Sequence, residues 1–313
     1  MQPSTTCASS AAHGVRPARL RAGLDLVGLT PLMEVTSGSS EVAIGLIDGP
    51  VATNHPDLAA QAVTGIGPGR AAACGHGASV ACAHGTYVAG ILIARRSSHA
   101  PAICPDCVLL VRPIFLEATT GRDDPRAQPE DLARAVTDCA DAGARVINVS
   151  AALARPAIKD ERALTWALEH AARRDVIVVV AAGNQATLAS TAITRHPWVI
   201  PVVSYDDHAR PQDHSTIGRS IGRSGLGAPG AGITSLGANG RPVTASGTSA
   251  AAPFVTGAVA LLCAEFPAAS GREIKSALLA VRARRPATVV PPLMDAWRAY
   301  HVLRATRPGR RSR

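Results

Sequence analysis

Five short stretches that are apolar almost end to end alternate with segments of helical character, and this alternation limits what the 313-residue chain can fold into. They are EVAIGLID (Glu41 to Asp48), VLLVRPIF (Val108 to Phe115), RVINVS (Arg145 to Ser150), VIVVVAAG (Val176 to Gly183) and WVIPVVSY (Trp198 to Tyr205). A strand with one wet face alternates apolar and polar residues, whereas a strand apolar throughout is buried on both faces. Between them, GTYVAGILIARR, PEDLARAVTDCADAG and ERALTWALEHAARR read as helices. The second has Pro129 near its start, Leu132, Val136 and Cys139 as its apolar positions and Gly143 as its stop. The pattern predicts an α/β fold with a mainly parallel sheet covered by helices on both faces, and functional groups at the strand carboxyl ends.

The length suits one large domain or two ordinary ones. Aromatic residues make up only 3% of the chain, so Ala, Val, Leu and Ile must fill the core. The expected organisation is an N-terminal extension over 1–40, partly disordered but with Leu24 to Met33 apolar enough to dock. A domain over 41–280 follows, then an Arg-rich segment over 281–313 with a disordered end. The formal charge of +9 is concentrated in that tail and in Arg16, Arg19 and Arg21. No aromatic residues interleave with these arginines, which favours a solvated basic tail over a nucleic-acid surface. No stretch approaches the ~20 apolar residues of a membrane span, and Met1 to Thr30 lacks the pattern of an export signal. The expectation is a soluble, cytoplasmic protein. Its seven cysteines, an odd number, are then expected as thiols, with a local disulfide as the alternative.

Four motifs carry chemistry. IGLIDGPVATNHPDL places Asp48 at the end of a strand, with His55-Pro56-Asp57-Leu58 seven residues on. HGTYVAGI begins at His84, VVVAAGN ends at Asn184, and GTSAAAPFVTGAVALL puts Ser249 at the start of a small-residue helix. Singly, each has an ordinary structural explanation as a cap, a turn or a helix start. Together, in this order, they resemble the signatures of the subtilisin-like (subtilase) family over roughly Glu41 to Ala280. The resemblance implies a three-layer subtilisin-like fold and a serine endopeptidase with Asp48, His84 and Ser249 as catalytic triad and Asn184 in the oxyanion hole.

The chemistry accounts for the residue types. A serine hydroxyl is a weak nucleophile near neutral pH and needs an imidazole to take its proton, and the imidazole needs a carboxylate to hold its tautomer. A helix start at the serine supplies backbone N–H groups where the oxyanion forms. The resemblance also implies an extended peptide or protein substrate, held between an edge at Ser150, Ala151 and Ala152 and a wall at Ala181, Ala182 and Gly183. No nucleic acid or membrane partner is expected.

Departures point to an atypical branch: Gly49-Pro50 follows Asp48, Tyr87 stands where many members have His, and Ala250 and Phe254 replace Met and His. The edge lacks the usual Gly-Gly ending. With its Asp-Gly-Pro setting the chain resembles the subtilases of cyanobactin-type peptide maturation, which suggests precursor peptides as substrates; only about forty residues precede the first catalytic strand, so folding without a removable prodomain is expected. A catalytically weak, peptide-binding relative is the alternative.

Gly218-Arg219-Ser220-Ile221-Gly222 matches the G-x-S-x-G pattern, but no apolar strand precedes it, so it is expected to be loop. Cys74, Cys82, Cys104 and Cys107 offer four thiolates for zinc, but their spacing does not favour a site. Calcium often stabilises subtilases, yet no Asp-rich loop of defined spacing offers its oxygen ligands. No metal or other cofactor is expected.

Overall fold

The computed structural model describes residues 15–67, 72–75, 79–115, 117, 128–150, 158–280 and 288–306. Two helices, α1 (Val15–Leu26) and α2 (Leu29–Val35), precede β1 (Ala43–Asp48), β2 (Val63–Gly65), α3 (Val80–Ile93), β3 (Val108–Pro113), α4 (Pro129–Asp141) and β4 (Ala144–Val149). Then come α5 (Ile158–Arg173), β5 (Ile177–Ala181), α6 (Ala192–Arg195), β6 (Val199–Tyr205), α7 (Arg219–Ser224) and β7 (Leu226–Pro229). The hairpin β8 (Ile233–Leu236) and β9 (Pro242–Ala245), then α8 (Thr248–Glu265), α9 (Gly271–Leu279) and α10 (Ala296–Thr306), complete the chain. The seven-stranded sheet has the order β2-β3-β1-β4-β5-β6-β7, and each neighbouring pair runs parallel. This is the three-layer α/β arrangement the sequence predicts.

The period-2 alternation of a strand sends its apolar residues to two cores at once. From β1, β4 and β5, residues Ile44, Leu46, Val146, Ile177 and Val179 join the core that holds α3 and α8. Ile47, Ile147, Val178 and Val180 join the one that holds α4 and α5. Helix α8 is long and apolar enough to pass for a membrane span, yet its residues are buried against β4, β5, β6 and β7. It is the core helix that carries Ser249.

The folded body reaches beyond 41–280 on both sides. Leu24, Val27, Leu29 and Leu32 join the α3/α8 core, as do Ala296, Ala299, Tyr300 and Leu303 of α10. The Ala296 N–H donates to the Val27 carbonyl at 2.8 Å.

Two expectations are corrected. Cys74 and Cys82 are not free thiols but form a disulfide across 8 residues with Cα atoms 5.6 Å apart. The reason is local: parallel pairing of Val51 with Ala73 lays Cys74 beside the first turn of α3. Cys104 and Cys107 form a separate buried pair, so the four sulfurs do not converge as one metal site. The Gly218-to-Gly222 segment is not plain loop, because Arg219–Ser224 forms α7, whose Ile221 is buried against Val203 and Tyr205. Strands β2, β7, β8 and β9 went unpredicted because each has only three or four residues.

Candidate active site

Strand β1 delivers Asp48 to the carboxyl edge of the sheet, fully buried. The Gly49 N–H donates to its Oδ1 at 2.7 Å. A Cβ on Gly49 would lie 2.0 Å from the Ala81 carbonyl oxygen. The hydroxyl residue common after the family aspartate has no room here, and its replacement by glycine lets the first turn of α3 sit on the strand end.

That helix brings His84 over Asp48. Its Nδ1 lies 2.7 Å from Oδ1 and 3.0 Å from Oδ2, so the proton on Nδ1 is held by the carboxylate and Nε2 remains as the acceptor. Burial lowers the imidazole pKa, but the charge of Asp48 and its hydrogen bond raise it, and the net result lies above the ordinary 6.5. The His84 side chain is 33% exposed against 0% for Asp48, so the carboxylate outweighs desolvation.

Tyr87, one turn further along α3, donates its hydroxyl to the Ile233 carbonyl at 2.9 Å, while Ser235 Oγ donates to the Tyr87 carbonyl at 2.7 Å. The tyrosine that replaces the usual histidine thus fastens the β8–β9 hairpin to the helix. His55 serves structure: its Nδ1 accepts from the Asp57 N–H at 3.0 Å, and Asp57 pairs with Arg95 at 2.7 Å just past α3.

Ser249 is half-buried in the first turn of α8, which packs directly on α3. Its N–H is one of those that helix geometry leaves without an intrahelical partner. Asn184 lies beside it, beyond the end of β5. Asn184 Oδ1 accepts from the Thr248 N–H at 2.9 Å and from Thr248 Oγ1 at 3.0 Å. The acceptor end of the amide is therefore occupied and Nδ2 is left to donate. Thr248 had no role in the sequence reading; its position next to the serine in the Gly-Thr-Ser motif was the available clue. Among the described residues no hydrogen bond joins Ser249 to His84. In unliganded hydrolases that bond is often long and tightens when substrate binds.

The β4–β5 ladder ends at Val149 and Val180, one residue short of Ser150 and Ala181. On its other edge β5 stays paired with β6 one residue further: Ala181 pairs with Val202, and the Ala182 N–H donates to the Val202 carbonyl at 2.9 Å. Gly183 accepts from the Thr216 N–H at 2.8 Å. The edges of β4 and β5 that face each other are therefore unpaired with one another from Ser150 and Ala181 onward. Ser150 is buried there and accepts from Asn148 Nδ2 at 2.7 Å, and Asn148 Oδ1 accepts from Thr256 Oγ1 of α8 at 2.8 Å. Ala151 and Ala152 lie outside the described residues. Cys74, Cys82 and Glu117 bring potential metal-binding atoms together among the described residues. The two thiols are joined to each other, and the carboxylate accepts from the Gly75 N–H at 2.9 Å and from Ser79 Oγ at 3.1 Å.

The family model of the subtilases matches residues 39–288. The chain belongs to the subtilase family. It is 28% identical over 286 residues to Fervidolysin of Fervidobacterium pennivorans, a match covering 82% of this chain and 39% of that relative's length. Among solved structures it resembles the prenylagaramide maturation protease PagA, with a TM-score of 0.75 and 28% identity over 88% of this chain and 98% of the other. The patellamide maturation protease PatA is similar at a TM-score of 0.71 and 28% identity, covering 86% and 98%. The overall fold is shared with both structures.

Proposed function

We propose that the chain is a serine endopeptidase that cleaves precursor peptides through an acyl-enzyme on Ser249. The observation that carries this reading is the Asp48–His84 hydrogen-bonded pair, held on a helix that packs on α8, the helix whose first turn carries Ser249. With Nδ1 committed to Asp48, Nε2 is the free base of the imidazole. It takes the Ser249 hydroxyl proton as Oγ attacks the scissile carbonyl carbon. The oxyanion formed is met by Asn184 Nδ2 and the Ser249 N–H. Collapse breaks the C–N bond, with the proton passing from Nε2 to the leaving amine, and water then releases the acyl group by the same path. The unpaired strand ends beyond Val149 and Val180 would hold the substrate in extended form by backbone pairing. The precursor-peptide part rests on the likeness to PagA and PatA, whose names record maturation of prenylagaramide and patellamide.

The test is labelling with a fluorophosphonate followed by mass spectrometry of products from a diverse peptide library. The wild-type chain should be modified at Ser249 and should cut a restricted set of peptides. Ser249→Ala and His84→Ala should each lose several orders of magnitude in turnover while keeping their fold, because the triad acts as a unit. Near-wild-type turnover in either folded variant would remove the assignment. An unlabelled Ser249 with intact peptide binding would make the chain a peptide-binding relative instead.

A further inference from the structure

We propose that the cavity between α6 and α7 is a docking site for an acidic segment of the peptide substrate. This rests on the endopeptidase reading for the word substrate, but not for the binding itself. The cavity has a volume of roughly 770 Å³, and Arg195, Arg219 and Arg223 line it together with Ser220 and Val289. No acidic residue is among its lining residues. Arg195 is partly neutralised by Glu161 at 3.3 Å. Arg219 and Arg223 have no hydrogen-bond or ion-pair partner among the described residues. They stand four apart on one short helix, an arrangement of like charges that disfavours the helix unless a counter-charge sits between them. The Ser220 hydroxyl, its oxygen buried, also lacks a partner among the described residues, and buried polar atoms are otherwise satisfied.

A peptide segment fits this chemistry better than a lone anion. The volume exceeds what one small anion fills, and Val289 with the arginine stems offers apolar surface for side-chain methylenes. The cavity is also within reach of the reacting centre. Thr216 donates to Gly183, next to Asn184, and Arg219 follows three residues later, so its Cα lies within about 11 Å of that of Thr216. Adding the steps from Thr216 across to Gly183 and on to Asn184 gives at most about 20 Å, so a peptide with its scissile bond at Asn184 spans the distance with no more than about six extended residues. Bidentate pairing of guanidinium with carboxylate would fix those residues in place.

The experiment uses the full chain carrying Ser249→Ala, so that binding is read without cleavage. Fluorescence anisotropy compares a peptide bearing two glutamates with its glutamine counterpart, with the pair moved stepwise along both sides of the cleavage site. The glutamate peptide should bind about tenfold tighter at one placement, and the advantage should shrink in high salt. Arg219→Gln with Arg223→Gln should erase the advantage and leave the glutamine peptide's affinity and the circular dichroism unchanged. In the otherwise wild-type enzyme the same double change should raise KM for the acidic substrate without altering kcat. Equal affinity for both peptides at every placement would overturn the proposal. So would inorganic phosphate binding at these arginines with no preference between the peptides. A glutamate preference in a chain whose wild-type form cleaves nothing would sink the endopeptidase reading and leave the docking site standing.

Discussion

Asp48 sets both the orientation and the proton affinity of His84. The raised imidazole pKa means that the ion pair's contribution to stability is full below the unfolded value of 6.5 and is lost as pH rises through the folded value. Catalysis needs the neutral base, so activity should rise over the same interval, with its acidic limb above pH 6.5. In Asp48→Asn the raising influence is gone and burial remains, so the limb should move to lower pH while kcat falls by roughly 10⁴-fold. A pH profile of kcat/KM checks this, and an unmoved limb would show that another group titrates. Asn184 offers a sharper substitution. Asn184→Ala removes the donor without adding charge, so kcat should fall by about 10²- to 10³-fold with little change in KM, and Asn184→Asp, which keeps an oxygen for both Thr248 hydrogen bonds but sets a negative charge against the oxyanion, should lower it further. A defect confined to KM would make Asn184 a binding residue. The two residues were legible to different degrees. Asp48 and His84 stand in motifs whose residue types state their chemistry. The orientation of Asn184 depends on a threonine 64 positions away, a contact that no local pattern records.

At the scale of elements, α3 is held from three directions. The hairpin is fastened at Tyr87, Ser79 caps the helix by accepting from the Cys82 N–H at 3.0 Å, and the disulfide ties its first turn to the segment at Cys74. Glu117 joins the cap and that segment by accepting from Ser79 and Gly75. Closing an 8-residue separation by a cross-link restricts the unfolded chain by roughly 2.5 kcal/mol in the chain-entropy model. Cys74→Ser should therefore lower the denaturant midpoint by a corresponding amount and, because Cys82 lies two residues from His84, reduce activity as well. Alkylation and mass spectrometry before and after reduction should show these two thiols appearing only on reduction. Free Cys74 and Cys82 in the unreduced protein would refute the cross-link. Local sequence showed the long apolar strands because their burial on both faces is written in composition. It offered the disulfide only as the alternative to free thiols, since Cys74 is laid beside Cys82 only once Val51 pairs with Ala73. Nor did it show β7, a four-residue LGAP segment that is a strand because β6 offers it an edge.

The whole molecule is closed by its outermost helices, which meet. Gly28, between α1 and α2, has φ +65°, and a Cβ there would lie 2.9 Å from the Trp297 backbone nitrogen. Trp297 stacks on Tyr300 at 4.8 Å, and α10 packs on both α2 and α9. Gly28→Ala should destabilise the protein by more than about 1 kcal/mol, since it adds left-handed strain to the close approach. Urea unfolding would check this, and an unchanged midpoint would show that the two ends are independent. The same contact has a consequence in time. The early segments bring Asp48 and His84, but Ser249 and the helix it starts come late, and α2 waits for α10 to be covered. At ordinary translation speeds the ribosome needs roughly a quarter of a minute to a minute to travel from Gly28 to Ala296. Throughout that interval the core that α2 joins stands open on the side that α10 covers, and it closes only when the last of these pieces arrives.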